Sequence, residues 1–418
     1  MMQITIHRGA NQIGGCITEI KSEGAKILID LGSNLPSSVG EEFTKEQIAT
    51  ICDGVGAIFY THYHGDHVGL MHLVPKHIPQ YIGEGAKAVM QCKYNYLDQA
   101  ETKAAIQQMR TFHAQDVIEI GVNHAIRLTP YFVSHSAFDA YMFKIECEGR
   151  VVLHTGDFRR HGYLGKGLFP TLKAFVGRVD VLISEGTMLG RRQERVLTEA
   201  QIERNVAQFL RDHKYVFALG SSTDIDRLAS FHNACKVTGR TFLVDAYQQD
   251  VLDIFKQFAS SETSCYRFDK AFRLINYKIQ NIQRHLRQTG FLMPIRMSSR
   301  TLVEGMMAVY DDAPLWLIYS MWSGYTNLTK PYGMPKVVAL CSLFDGRVMD
   351  GTKDGFHTSG HADVQTLQEV CSCVRPRIGV IPIHKDAHAH YEDLPETKSL
   401  RIFTQGETQV ENIKIVIR

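Results

Sequence analysis

The sequence predicts an α/β protein of more than one domain, and three observations carry that prediction. Short apolar runs alternate with turn residues through the first 185 positions and again in the middle of the chain. Most of the early runs end in a carboxylate or an imidazole, the arrangement in which α/β proteins place their chemistry at strand ends. Ligand-type residues then vanish between about 195 and 350 and return afterwards, so a second domain is expected within the first.

The early runs are Lys26-Ile27-Leu28-Ile29-Asp30 before Gly32, Ala57-Ile58-Phe59-Tyr60 before His62, Val151-Val152-Leu153 before Gly156-Asp157, and Val181-Leu182-Ile183 before Glu185-Gly186. They predict one sheet whose strand ends converge on a common site, with helices outside. Helices are expected after His67 and from about Leu197 to Leu210, where Ile202, Val206, Phe209 and Leu210 recur at helical spacing. In the middle of the chain, Val216-Phe217-Ala218-Leu219, Thr241-Phe242-Leu243-Val244 and Leu315-Trp316-Leu317-Ile318-Tyr319 read as strands of the second domain. On the return, Val364, Leu367, Val370, Cys371 and Val374 mark one helix face, Pro376 stops it, and Ile378 to Ile383 forms a strand ending at His384. The expected division is 1–194, 195–350 and 351–418, the outer two segments forming one domain.

Composition excludes several classes. Apolar residues make up 44% and charged ones 22%, ordinary for a globular protein. No window reaches the roughly 18 uninterrupted apolar residues of a membrane span, and the Met1-Met2-Gln3-Ile4 start lacks a basic, then apolar, leader. The nine cysteines include no Cys-x-x-Cys pair. A soluble protein of the reducing cytoplasm is expected. The net charge of +2 leaves partners open, because a nucleic-acid enzyme can concentrate basic residues in one groove. Clusters at Arg191, Arg192 and Arg195, at Arg273, Lys278, Arg284 and Arg287, and at Arg296 and Arg300 are either such a groove or solvated helix faces.

The most informative stretch is Thr61-His62-Tyr63-His64-Gly65-Asp66-His67. Three imidazoles and a carboxylate fall within six residues directly after a buried strand. Neutral imidazole and carboxylate oxygen suit borderline metals such as zinc, and the order lets one loop present His62 and His64 to one ion, Asp66 and His67 to another. A site for two ions needs a bridging carboxylate. Asp157, after Thr155-Gly156, is placed for it. His135 and His384 would complete the two shells, and Asp30 is better placed to orient a ligating histidine than to ligate.

Taken in order, Asp30, His62-x-His64-x-Asp66-His67, His135 and Asp157 resemble the metallo-β-lactamase superfamily. Glu185, the inserted domain, His361 in Ser-Gly-His-Ala and His384 in Pro-Ile-His resemble its β-CASP nuclease branch, most closely ribonuclease J-like proteins, over nearly the whole chain. The resemblance implies an αβ/βα sandwich carrying an inserted α/β domain, with the active site in the cleft between them. It implies two zinc ions, with manganese or magnesium as alternatives: one held by His62, His64 and His135, one by Asp66, His67 and His384, with Asp157 bridging. His361 is then the proton donor, Glu185 holds it, and Asp66 counts with both the catalytic and the ligand sets.

That family acts on single-stranded RNA, as an endonuclease, a 5′-to-3′ exonuclease or both. Ser221, Ser222 and Arg227, with Ser320 and Thr358-Ser359-Gly360, are the expected phosphate contacts, through backbone amides and hydroxyls. Two departures matter. Where the family carries Gly-Ser-Gln-Gly-Glu, this chain has Tyr319-Ser320-Met321-Trp322-Ser323-Gly324, and the family's further C-terminal domain has no counterpart in the residues after His384. Oligomeric state is therefore left open. Trp322 is read as a packing residue ahead of a base-stacking one. The alternatives are a DNA-repair nuclease of the same branch, against which His384 speaks, a small-ester or thioester hydrolase, for which the inserted domain is superfluous, and a non-catalytic RNA-binding relative, which need not keep seven ligands.

Overall fold

The computed structural model describes residues 1–36, 38, 40–404 and 413–417. These divide into two compact units: Met1–Arg160, Leu164–Gln193 and Gly360–Arg418 in the first, His161–Tyr163 and Glu194–Ser359 in the second.

The first unit is built on two sheets rather than the single one expected from the strand ends. A seven-stranded sheet runs Ile413–Ile417, Met2–Arg8, Ile17–Lys21, Lys26–Ile29, Ala57–Phe59, Gln80–Gly83 and Arg110–Phe112 in spatial order. A six-stranded sheet runs Gly379–Ile383, Val181–Glu185, Arg150–His154, Ala140–Cys147, Ile126–Val133 and Ile118–Ile120. Apolar runs identify strands but say nothing of which strands pair, hence the correction.

Side-chain alternation sorts the residues of the second sheet between two cores. In Ala140–Cys147, Tyr141, Phe143, Ile145 and Cys147 join the core shared with Ile4, Ile20, Ile27 and Phe59 of the other sheet. Ala140 and Met142 point the other way, into a core completed by Leu367, Val370 and Val374 of the helix Val364–Val374. Both faces are buried and apolar over the first half of this strand, whereas Lys144 and Glu146, 19% and 38% exposed, occupy the outer face beyond it. Fully burying each such apolar side chain contributes about 1.5–3 kcal/mol, enough to fix the pairing register.

Strand direction gathers the polar ends. Arg150–His154, Val181–Glu185 and Gly379–Ile383 are mutually parallel neighbours. Ile126–Val133 is antiparallel to a strand that is itself antiparallel to Arg150–His154, so it too runs the same way. The residues following all four strands, His135, Asp157, Glu185 to Thr187 and His384, therefore emerge on one edge. In the other sheet, Lys26–Ile29 and Ala57–Phe59 are parallel and deliver Asp30 and His62 together.

The second unit is a six-stranded parallel sheet, ordered Phe272–Arg273, Thr241–Val244, Phe291–Ile295, Tyr215–Leu219, Leu315–Tyr319 and Val348–Asp350. The helix expected from about Leu197 spans Glu199–Asp212, because Thr198 and Gln201 form a reciprocal capping box that fixes its start. Among the described residues no helix is long and apolar enough to cross a membrane, and all nine cysteines are free.

Candidate metal centre

The helix expected after His67 instead begins at Gly65 and contains Asp66 and His67. A single turn, Gly65–Val68, therefore fixes three of the four ligand-type residues relative to one another, with His64 at its N-cap. Glycine is required close by: at Gly14, where φ is +77°, a Cβ would lie 2.8 Å from Asp66 Oδ2. Gly156, at φ +55°, makes the turn that delivers Asp157, and a Cβ there would meet Thr61 at 2.9 Å.

Four histidines are held by their outer nitrogen. His67 Nδ1 donates to Asp30 Oδ2 at 2.7 Å, and His135 Nδ1 donates to the Gly360 carbonyl at 2.7 Å. Thr61 gives its hydroxyl proton to Asp30 at 2.8 Å and so accepts from His62 Nδ1 at 3.1 Å. Thr187 likewise donates to the His384 carbonyl at 3.1 Å and accepts from His384 Nδ1 at 2.7 Å. With Nδ1 carrying the proton, each Nε2 keeps its lone pair.

Those lone pairs converge in two groups. His64 Nδ1 lies 3.1 Å from His62 Nε2 and 3.2 Å from His135 Nε2. In the second group, His384 Nε2 lies 3.1 Å from Asp66 Oδ2, and His67 Nε2 lies 4.0 Å from it. Asp157 Oδ2 is 3.1 Å from His67 Nε2, 3.5 Å from His384 Nε2 and 3.9 Å from His62 Nε2, so it borders both groups.

A metal ion fits these donors. A tetrahedral shell at about 2.0–2.1 Å would set donor atoms about 3.3 Å apart, close to the spacings here. His67 Nε2 and Asp157 Oδ1 are buried and make no hydrogen bond, a cost of about 1–3 kcal/mol each if nothing else satisfies them. The outer hydrogen bonds on Nδ1 are those that orient ligating histidines.

The electrostatics agree. Burial pushes His62 and His135 well below the ordinary imidazole range and His64 down to about 4, so all three are neutral donors. Burial alone would raise Asp157, but His384, His67 and His361 around it outweigh that and hold it well below the usual carboxylate range. Burial opposes charge on His67 as well, yet Asp157 and Asp30 on either side raise it. A proton and a cation are alternative answers to those two carboxylates.

Beside the second group stands His361. Its Nδ1 lies 3.0 Å from Glu185 Oε2 and 3.6 Å from Asp157 Oδ2. Glu185 is fully buried, and its other oxygen accepts from the amides of Phe158 at 3.0 Å and Ala362 at 3.3 Å. His361 is 21% exposed where His62, His67 and His384 are at most 1%. Burial works against its protonation, but Glu185 and Asp157 raise its pKa above the ordinary value.

Residues 17–189 match the sequence profile described as the Metallo-beta-lactamase superfamily. The first unit carries a metallo-β-lactamase domain. Domains of this superfamily are metal-dependent hydrolases, and the His/Asp clusters described above are groups that could hold a metal ion. The match includes Asp30, the His62 to His67 turn, His135, Asp157 and Glu185, and ends before His361 and His384. Among curated proteins nothing matches the sequence. A crystal structure of a protein of unknown function from Enterococcus faecalis V583 superposes with a TM-score of 0.74, covering 100% of both chains at 15% identity, which shows a shared fold and no more.

Outside this domain the sequence-predicted residues behave differently. Arg227, 2% exposed, gives every donor to its own unit: Nε and Nη2 to Glu199 at 3.1 and 3.0 Å, Nη1 to Ser320, and Nη2 to the Thr358 carbonyl at 3.3 Å. Engaged in this way, the guanidinium ties Glu199, Ser320 and Thr358 together within the unit. Ser320 accepts from Arg227 and donates to the Phe356 carbonyl at 2.6 Å, and Thr358 Oγ1 accepts from the Leu197 amide at 3.1 Å. Ser221 meets Thr223 at 3.3 Å, the Ser222 carbonyl accepts from Gln248, and the Ser359 carbonyl from His161. Gly360 belongs to the first unit, its carbonyl holding His135. Trp322 packs against the Tyr325 and Tyr332 rings.

Sequence reasoning missed Thr187 and Tyr391, whose hydroxyl bonds the Glu185 carbonyl and, at 2.9 Å, Ser184 Oγ. Thr187 carried a signal, a hydroxyl two residues after Glu185 at a strand end. Tyr391, in a polar loop, carried none.

Proposed function

We propose that this chain is a zinc-dependent ribonuclease of the β-CASP branch, hydrolysing phosphodiester bonds of single-stranded RNA. The observation that carries the reading is the His361–Glu185 pair, an anchored and partly exposed imidazole beside two converging donor groups. Hydrolysis of a phosphodiester needs a nucleophile and an acid for the leaving oxygen, and this site offers a separate group for each.

In this reading His62, His64 and His135 would hold one ion and Asp66, His67 and His384 the other, with Asp157 available to both donor groups. Nitrogen-rich donor sets favour zinc over magnesium or manganese. When bound, two such ions supply a hydroxide nucleophile near neutral pH and brace the phosphate. Asp30, Thr61, Thr187 and the Gly360 carbonyl keep the ligating nitrogens aimed. His361 gives its proton to the leaving oxygen, and Glu185 fixes the tautomer and steadies the imidazolium.

The inserted domain of this reading, 195–350, lies within the second compact unit. Substrate grip is assigned to its cationic surface, less Arg287, Arg296 and Arg300, which are paired with Asp311 and Asp312, Asp245 and Glu304. In the first unit Arg192 is similarly paired with Asp393. A cytoplasmic location suits nine free thiols.

The test is incubation of zinc-replete protein with end-labelled single-stranded RNA and DNA of matched sequence, the 5′ end being triphosphate, monophosphate or hydroxyl. Cleavage of RNA is expected. Cleavage of DNA alone would select the repair-nuclease alternative, and cleavage of neither would remove nuclease function.

A further inference from the structure

The metal-binding reading leaves one soft donor unused. Cys16 is fully buried directly after the Gly14-Gly15 turn. Its amide donates to the Asp66 carbonyl at 3.0 Å, and its own carbonyl accepts from the Gly32 amide at 3.1 Å. The backbone is thus tied on one side to the ligand turn and on the other to the segment after Asp30. A Cβ on Gly9 would stand 2.9 Å from Cys16 Sγ, and the Gly9 carbonyl accepts from the His384 amide at 2.6 Å. The sulfur is therefore held on the His384 side. Cys16 Sγ and the donor nitrogens of His67 and His384 all lie within 4.8 Å of one another.

A buried cysteine alone is a small hydrophobic residue. What distinguishes this one is its neighbour: His67, 1% exposed, belongs to the same cluster and carries an Nε2 that makes no hydrogen bond. An unsatisfied nitrogen, a second imidazole nitrogen and a sulfur around one point form a donor set for a borderline or soft ion.

We propose that Cys16 is a further ligand of the ion held by Asp66, His67, Asp157 and His384. This rests on the metal-binding reading of the site, and not on the nuclease reading. On ligation the S–H bond would break, a sulfur–metal bond would form and the proton would leave to solvent. Thiolate ligation would strengthen the preference of this position for zinc or cobalt over magnesium and manganese.

Cobalt provides the test. Metal-depleted protein reconstituted with Co(II) should show visible ligand-field bands and a near-ultraviolet thiolate-to-cobalt charge-transfer band. Cys16→Ser and Cys16→Ala should both lose the charge-transfer band and keep the visible ones. Zinc-loaded wild type, which needs no variant, should show a sulfur scatterer at about 2.3 Å in X-ray absorption. Visible bands without a sulfur signal, or a charge-transfer band unchanged in both variants, would overturn the proposal and leave the metal centre standing. No visible bands in wild type would remove the metal reading and this inference with it.

Discussion

Asp30→Asn tests the logic of the metal centre with almost no change of shape. Asp30 Oδ1 accepts from the Thr61 amide at 2.7 Å, and Oδ2 accepts from His67 Nδ1 at 2.7 Å. Asparagine can copy only one of these. If its oxygen stays on the Thr61 amide, its NH₂ faces His67 Nδ1, which must then accept, and the His67 proton moves to Nε2, the nitrogen aimed at Asp157. If the amide flips, two donors face each other at the Thr61 N–H. Either way the ion held by Asp66, His67 and His384 should bind about 10–100-fold more weakly, the usual loss for an outer-shell partner, equivalent to about 1.4–2.7 kcal/mol. The ion held by His62, His64 and His135 should be less affected, because Thr61 keeps its place. Stepwise zinc titration against a chelator of matched affinity separates the two steps. Two steps indistinguishable from wild type would refute the claim that the Asp30–His67 bond sets the donor nitrogen.

His361→Ala should leave both ions bound and RNA affinity nearly intact while lowering turnover by about 10²–10⁴-fold; loss of an ion would make His361 a ligand instead. Glu185→Gln should do less harm, and the double variant should be little worse than His361→Ala, since the two act as a unit. Asp157→Ala should abolish activity and lower the metal content measured by elemental analysis, because Asp157 borders both donor groups. Lys278→Glu with Arg284→Glu should flatten the salt dependence of RNA binding, the slope falling by roughly 0.7 for each phosphate these side chains neutralise; an unchanged slope would make both of them merely solvated side chains. Arg227→Met, which strands Glu199 in the interior, should cost about 3–5 kcal/mol in chemical denaturation, and an unshifted transition would deny the pair its structural role.

What the sequence made legible depended on chain distance. The His62 to His67 spacing is set by one helical turn, Gly65–Val68, so its convergence could be read directly. Asp157 and His384 were readable as single polar residues ending apolar runs, and the parallel strands bring those ends to one edge. Cys16 was not, and Thr187 showed only as a hydroxyl near a strand end, because their partners lie in distant segments: Thr187 meets His384 across 197 positions. Arg227 shows the reverse failure. Ser221-Ser222-x-x-x-Asp226-Arg227 reads as an exposed phosphate loop, and nothing local says that Glu199, 28 residues earlier, already occupies the guanidinium.

Two ligand-side residues also carry backbone strain that no pattern of polarity reports. Asp30 adopts φ 61° and His384 φ 51°, the left-handed region that costs a non-glycine residue about 1–3 kcal/mol. Each directly follows the last residue of a strand, Ile29 or Ile383, and that residue is locked in the inter-sheet core. A residue continuing in extended geometry would point its side chain to one face of the sheet. The left-handed turn aims it over the edge instead, where the Asp30 amide bonds the Phe59 carbonyl at 2.9 Å and the His384 amide bonds the Gly9 carbonyl at 2.6 Å. The core on both sides of each turn leaves no slack to relax it. The frame that imposes this strain thereby fixes the carboxylate that orients His67 and the imidazole of His384, and glycine at either position would relieve the strain only by removing the side chain that the turn serves to place.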